Sequence, residues 1–273
     1  MSYYIKIPNQ GIQRLNNRRK LKLIAIYGLI RSQIKDNTNT ASYPEKDLAE
    51  MCGVDVRSII TYIQEIQSMG LMRIIGKKKG EYPYPYNIYE FDHLEDDFSM
   101  ITPNLLFDPN LDIEYKGLLI LLKSHCHEGT NHMNYPSNEE VANKLKIGKE
   151  KLSNMVGVLE ALKYVKRIGY SLIIIDPNIL MFYDTRDPYN IGYKIIYDFC
   201  LSKGVVPPIK GESRNENLGQ ILAMFPPELL IEELPKRFKK LPPNISLDYF
   251  CQGLRNTHKS NKQKLQPQIG FVM

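Results

Sequence analysis

Between Tyr43 and Tyr89 the apolar positions change period twice. Leu48, Ala49 and Met51 give a first short segment one apolar side, and Gly53 follows where a left-handed backbone closes a helix. Pro44 fits that helix's first turn, where a missing N–H costs nothing. Asp55 suits the N-cap of a second helix, in which Ile59, Ile63 and Ile66 fall on one buried face at spacings of four and three. After Gly70 the period shortens: Leu71–Ile75 and Tyr86–Phe91 read as strands, joined through Lys77-Lys78-Lys79-Gly80 and a Tyr/Pro-rich tip.

Helix, turn, helix and basic hairpin is the layout of a winged helix. The outer face of the second helix carries Arg57, Ser58, Thr61 and Gln64, short or forked hydrogen-bonding groups suited to base edges in a major groove. Lys77, Lys78 and Lys79 suit phosphates. A small α+β module with a merely solvated polar face, or a protein-docking winged helix, would show the same periodicity.

Upstream, Tyr3–Pro8 alternates and Asn9-Gln10-Gly11 reads as a turn. A helix from Leu21 to about Ser32 has Leu23, Ile24, Tyr27 and Ile30 as candidates for its buried side. Arg18, Arg19 and Lys20 stand at its start with Lys22, where the helix dipole disfavours cations. Contact with a DNA backbone and a plain solvated basic face are both open for them.

The pattern then repeats. Ile7-Pro8-Asn9 has a counterpart in Thr102-Pro103-Asn104, and Leu21-Lys22-Leu23-Ile24 is matched to Lys116-Gly117-Leu118-Leu119. A shift of 93 puts Leu48-Ala49 on Val141-Ala142 and sets Ile59, Ile63 and Ile66 on Leu152, Val156 and Leu159. The copies differ in polar detail. The second hairpin turn is only Gly169-Tyr170-Ser171, and the second helix shows Lys149, Lys151, Ser153 and Asn154 outward with Glu150 beside them. Contact with a neighbouring groove and a role as an interface for its twin are both open for this copy.

From Pro177 onward the composition changes. Proline pairs at Pro207-Pro208, Pro226-Pro227 and Pro242-Pro243 punctuate helical patterns at Ile191–Ser202, Asn217–Met224, Glu228–Lys239 and Ser246–Arg255. The expected organisation is mainly α with small β-wings: a winged helix over 1–92, an acidic linker over 93–97, a second winged helix over 98–176, a helical C-terminal domain over 177–256 and a basic flexible tail over 257–273.

Charge sharpens this picture. Residues 1–89 hold 14 Lys and Arg against 7 Asp and Glu, residues 98–176 balance at 9 each, and residues 177–273 hold 13 against 9. Nucleic-acid contact is therefore expected first in the N-terminal module. No apolar run has the length of a membrane span and no secretory signal opens the chain; Cys52, Cys126, Cys200 and Cys251 form no CxxC pair, so a cytoplasmic protein is expected. His125-Cys126-His127 with His132 is the one cluster worth testing as a metal site, and its loop setting favours an ordinary polar loop. No phosphate-cradling glycine loop or nucleophile elbow occurs. The expectation is a protein that is no enzyme and carries no cofactor or metal.

The segments ITPNLLFDPNLDIEYKGLLILLKSH and YPSNEEVANKLKIGKEKLSNMVGVLEALKYVKRIG, with ISLDYFCQGLRN near the end, make the chain resemble phage and plasmid replication initiators related to the DnaD replisome organisers. In the tail segment Tyr249 and Leu254 match that pattern, while Gly253 and Thr257 depart from it. The resemblance implies a protein of a mobile element that grips repeats of double-stranded origin DNA and recruits a helicase or helicase loader; sequence-specific binding is expected, and the oligomeric state, homo-oligomer or monomer, is left open by the sequence. A winged-helix transcription regulator and a scaffold that binds only proteins are the alternatives.

Overall fold

The computed structural model describes residues 4–13, 15, 18–34, 38–79, 86–94, 96–181, 187–209, 215–243 and 245–264. It is an α+β protein with three small antiparallel sheets. One order of elements occurs twice. The first repeat runs β1 (Ile5–Pro8), α1 (Asn9–Gln13), α2 (Lys20–Arg31), β2 (Thr40–Ser42), α3 (Glu45–Cys52), α4 (Val56–Ser68), β3 (Arg73–Lys78) and β4 (Tyr86–Glu90). The second runs β5 (Phe98–Ile101), α5 (Pro103–Phe107), α6 (Ile113–Lys123), β6 (His132–Asn134), α7 (Asn138–Leu145), α8 (Lys149–Ala161), β7 (Val165–Ile168) and β8 (Ser171–Ile174), with β9 (Ile179–Leu180) after it.

Local chemistry accounts for the helix ends. Gly53 closes α3 at φ 61, and the Asp55 carboxylate caps α4 by accepting from the Ser58 N–H. In the second repeat Ser137 caps α7, and Lys146 takes the left-handed position at φ 52 where the first repeat has Gly53. A non-glycine there costs on the order of 1 kcal/mol. The apolar stripe of α4 is Ile59, Tyr62, Ile63 and Ile66; that of α8 is Leu152, Met155, Val156 and Leu159. Asn9-Gln10-Gly11, expected as a turn, lies inside α1, and a Cβ on Gly11 would come within 2.7 Å of Leu71 Cδ2.

The repeats are built on each other. β1 pairs antiparallel with its own counterpart β5, Ile5 opposite Ile101 and Lys6 opposite Met100, and β9 extends that sheet. α2 and α6 pack face to face, so α2 is buried on nearly every side, from Lys20 to Arg31 with Lys22 the exception. Registering the two helices on their C-cap serines, Ser32 and Ser124, aligns Leu21 with Ile113 and Ala25 with Gly117. This replaces the alignment of Leu21 with Lys116 that the sequence suggested. Small residues thus hold the same place in both helices. A Cβ on Gly117 would collide with the Leu21 backbone carbonyl, and one on Gly28 would lie 3.3 Å from Leu106. One hydrophobic core runs from Ile5 to Ile179 through both repeats.

The acidic stretch between the repeats is exposed at Asp92, Asp96 and Asp97 and anchored by hydrogen bonds to the first repeat. The Asp97 carboxylate accepts from the Gln10 N–H at 3.3 Å and from Asn9 Nδ2 at 3.2 Å, and Lys6 Nζ donates to the Leu94 carbonyl at 2.9 Å. Glu95 lies outside the described residues.

A second compact unit contains α9 (Pro188–Ser202), α10 (Asn215–Met224), α11 (Pro227–Arg237) and α12 (Leu247–Lys264), with His127–Thr130 grouped with it. Pro188 and Pro227 stand in the first turns of their helices. Tyr193, Tyr197, Phe225, Phe238 and Phe250 dominate its core. Gly253 lets the Phe238 ring approach α12, since a Cβ would lie 2.8 Å from that ring. α12 continues unbroken to Lys264, so residues 257–264 are helical where a flexible tail was expected.

The α2–α6 contact predicts opposite outcomes for two helical glycines. Gly117→Ala should lower unfolding stability by about 1–3 kcal/mol through overpacking against backbone. Gly157→Ala, where a Cβ meets nothing within 4 Å, should raise it by up to about 1 kcal/mol. Urea unfolding of both variants checks this; equal midpoints would mean the helices are not in close contact.

Candidate nucleic-acid interface

α4 turns its apolar stripe inward, which leaves Arg57 and Gln64 exposed and Ser58 and Thr61 half-buried on the opposite side. The two hydroxyls are already engaged. Ser58 Oγ donates to Asp55 at 2.7 Å, holding the Asp55 carboxyl below the usual carboxylate range, and Thr61 Oγ1 donates to the Arg57 carbonyl at 3.0 Å. Arg57 and Gln64 are different: neither side chain has a hydrogen-bond or ion-pair partner among the described residues. They are the free forked groups of this face.

The hairpin beside it has its charge sorted along its length. At its base Arg73 bonds Glu90 at 3.1 Å and lies 3.7 Å from Asp92. A register shift between Ile74 and Gly76 follows, and beyond it Lys77 stands opposite Asn87 and Lys78 opposite Tyr86. Lys77, Lys78 and Lys79 are exposed and have no partner among the described residues. Gly80 and the Tyr/Pro-rich tip lie outside the described residues.

The cations before α2 part company. Arg18 is exposed and has no partner among the described residues. Arg19 pairs with Glu65 of α4 at 2.8 Å. Lys20 is 2% exposed, and its ammonium donates to the Leu145 carbonyl at the C-terminus of α7 in the other repeat. Burial, and then the charge of Lys146, lower its pKa to about 8. Lys20 is thus buried rather than presented on the surface with Arg18, and the carbonyl end of α7, which favours a cation, offsets only part of the cost of burying it.

On α8 and its hairpin the second repeat holds cations against carboxylates. Lys149 pairs with Glu139 at 2.8 Å, and Lys151 pairs with Glu114 at 2.5 Å. Asn138 donates to Ser153 at 2.8 Å, and Arg167 pairs with Glu160 at 2.6 Å. Asn154 alone of its four outward candidates has no partner among the described residues. Its hairpin turns at Gly169 (φ 55) and Tyr170, and Tyr170 is strongly exposed.

Sequence reasoning passed over Val56 and Ile60, which stand exposed on the outer side of α4. Their signal was present, since Ile60 falls out of phase with the Ile59, Ile63, Ile66 stripe.

His125 and Cys126 do not form a metal site with their neighbours: among the described residues no three His, Cys, Asp or Glu gather where they could hold an ion. Burial, with the charges of Lys144 and Lys20, pushes His125 down to about 4. Cys126 is pushed up to about 12 by burial. No helix among the described residues is long and apolar enough to cross a membrane. No protein-family model matches the chain, and no curated protein matches it.

The buried lysine gives a pH test. Folding depresses the Lys20 pKa from 10.5 to about 8, so the unfolded chain holds more protons across that window and stability should rise with pH there. Lys20→Met, which removes the buried charge, should gain on the wild type most below pH 8, and the gap should narrow towards pH 10. Urea midpoints at stepped pH measure it, and a pH-independent gap would mean that Lys20 stays hydrated.

Proposed function

We propose that the first unit is a pair of winged helices that binds double-stranded DNA sequence-specifically, with the first repeat as the principal reader. One observation carries this reading: Arg57 and Gln64 on α4 and Lys77, Lys78 and Lys79 on the adjoining hairpin gather free cationic and forked groups on one helix and its hairpin, whereas on the matching elements of the second repeat Lys149, Lys151 and Arg167 are each held by a carboxylate. A forked guanidinium and an amide are the groups that address guanine and adenine edges, and free lysines release counterions from phosphates. The α4 face does not lie against the other repeat in this reading, since α2 and α6 make the join.

The antiparallel pairing of β1 with β5 supports a two-fold relation between the repeats. Any half-site addressed by α8 is then inverted relative to that of α4. The initiating role, with a helicase or its loader as partner, rests on the resemblance to phage and plasmid initiators.

Four measurements test the reading. Arg57→Ala should relax sequence choice at one position and cost about 1–3 kcal/mol on the preferred duplex. Replacing Lys77, Lys78 and Lys79 by Gln should weaken all duplexes alike and flatten the salt slope by up to about 2.7, at roughly 0.9 per phosphate contact. Full-length protein that shifts no duplex at low salt would end the DNA reading. Permanganate-reactive thymines beside the bound site on supercoiled DNA are expected of an initiator; their absence from a well-occupied site would remove initiation and leave DNA binding standing.

A further inference from the structure

α4 buries Ile59, Tyr62, Ile63 and Ile66, yet it leaves Ile60 44% and Val56 40% exposed. Helical spacing of three, four and seven residues puts Arg57, Ile60, Thr61 and Gln64 on one face, with Val56 one turn before Ile60. Ile60 therefore lies midway along the axis between the two free forked side chains and to one side of the line joining them, with Val56 flanking it. A lone exposed aliphatic needs no explanation. This pair has a chemical counterpart on the surface it is proposed to meet, because the thymine C5-methyl is the apolar group that a base pair presents in the major groove.

The second repeat shows what the same positions look like without this arrangement. Val56, Arg57, Ile60 and Gln64 correspond to Lys149, Glu150, Ser153 and Gly157. Lys149 is paired with Glu139 and Ser153 is bonded to Asn138. The repeats share the fold and the buried stripe, and an apolar pair at these positions belongs to the first alone; the exposed aliphatics of α8, Val158 and Leu162, stand elsewhere, towards its C-terminal end.

We infer that Ile60, backed by Val56, is a specificity-determining residue that packs on a thymine methyl between the base pairs addressed by Arg57 and Gln64. The inference rests on the DNA-binding reading and adds a base to it. It names a part of the target that hydrogen-bonding groups alone would leave open.

The test uses the full-length chain and duplexes selected by it from a random-sequence pool, with each thymine of the selected duplex replaced in turn by deoxyuridine. Wild-type protein should bind roughly fourfold more weakly at one or two positions, which corresponds to about 0.8 kcal/mol for one buried methyl. Those positions should lie beside the base whose preference Arg57→Ala relaxes. Ile60→Ala should bind the thymine duplex more weakly and lose its sensitivity to deoxyuridine there, a coupling of the kind expected for groups in contact. The deoxyuridine scan of the wild type stands even where a variant folds poorly, and Ile60→Val offers a milder truncation. A selected duplex in which no thymine methyl matters, or one whose deoxyuridine effect persists undiminished in Ile60→Ala, overturns the inference while the DNA reading stands. A pool that yields no enriched duplex overturns both.

Discussion

The close passage of α2 along α6 is the contact on which the first unit depends. Gly117 brings the second helix up to the backbone at Leu21, and Gly28 admits Leu106. Each fully buried Leu or Ile contributes about 1.5–3 kcal/mol relative to an exposed one. Leu23, Ile24, Ile26, Leu29 and Ile30 on one side, and Leu118 to Leu122 on the other, are all buried. Neither helix could keep so many apolar faces dry alone. Each repeat therefore supplies the surface that completes its twin, and the β1–β5 pairing closes the same join from another element.

That mutual completion explains what was legible in the sequence and what was not. The stripe of α4 and its echo in α8 could be read directly, because each helix buries one face and its phase survives in the pattern. The caps at Gly53 and Asp55 were readable for the same local reason. α2 and α6 are apolar on almost every side, so periodicity gives them no phase, and their alignment from sequence slipped. β2 and β6 are three residues each and owe their existence to β4 and β8 far along the chain. Lys20 looked like a surface cation because its acceptor, the Leu145 carbonyl, is supplied by the other repeat.

The candidate interface divides along the same line. Arg57, Gln64 and the hairpin lysines could be named because exposed polar positions follow from the buried ones. Which of them were free could not, since Arg19–Glu65, Lys149–Glu139 and Lys151–Glu114 join elements that only the fold brings together. Ser58 and Thr61 lost their hydroxyls to the helix itself, as Ser and Thr do when a cap or a backbone carbonyl lies one turn away. The apolar members of the face, Val56 and Ile60, escaped notice because exposed aliphatics are common on any surface.

Duplication has thus kept the packing and changed the electrostatics. The buried stripe of α4 reappears in α8 position for position with other apolar side chains, whereas Glu150 stands at the place of Arg57 and a two-residue turn at that of the first hairpin's lysines. Surface ion pairs are worth at most about 1 kcal/mol each, so those of the second repeat hardly hold the fold together. Their effect is on what the face presents outward: a lysine already facing a carboxylate has less to gain from a phosphate. In a shared core the two faces cannot be re-aimed independently, because moving one repeat would part Gly117 from Leu21. Polar and charged side chains outside that core are under no such constraint, and there the two repeats present different faces.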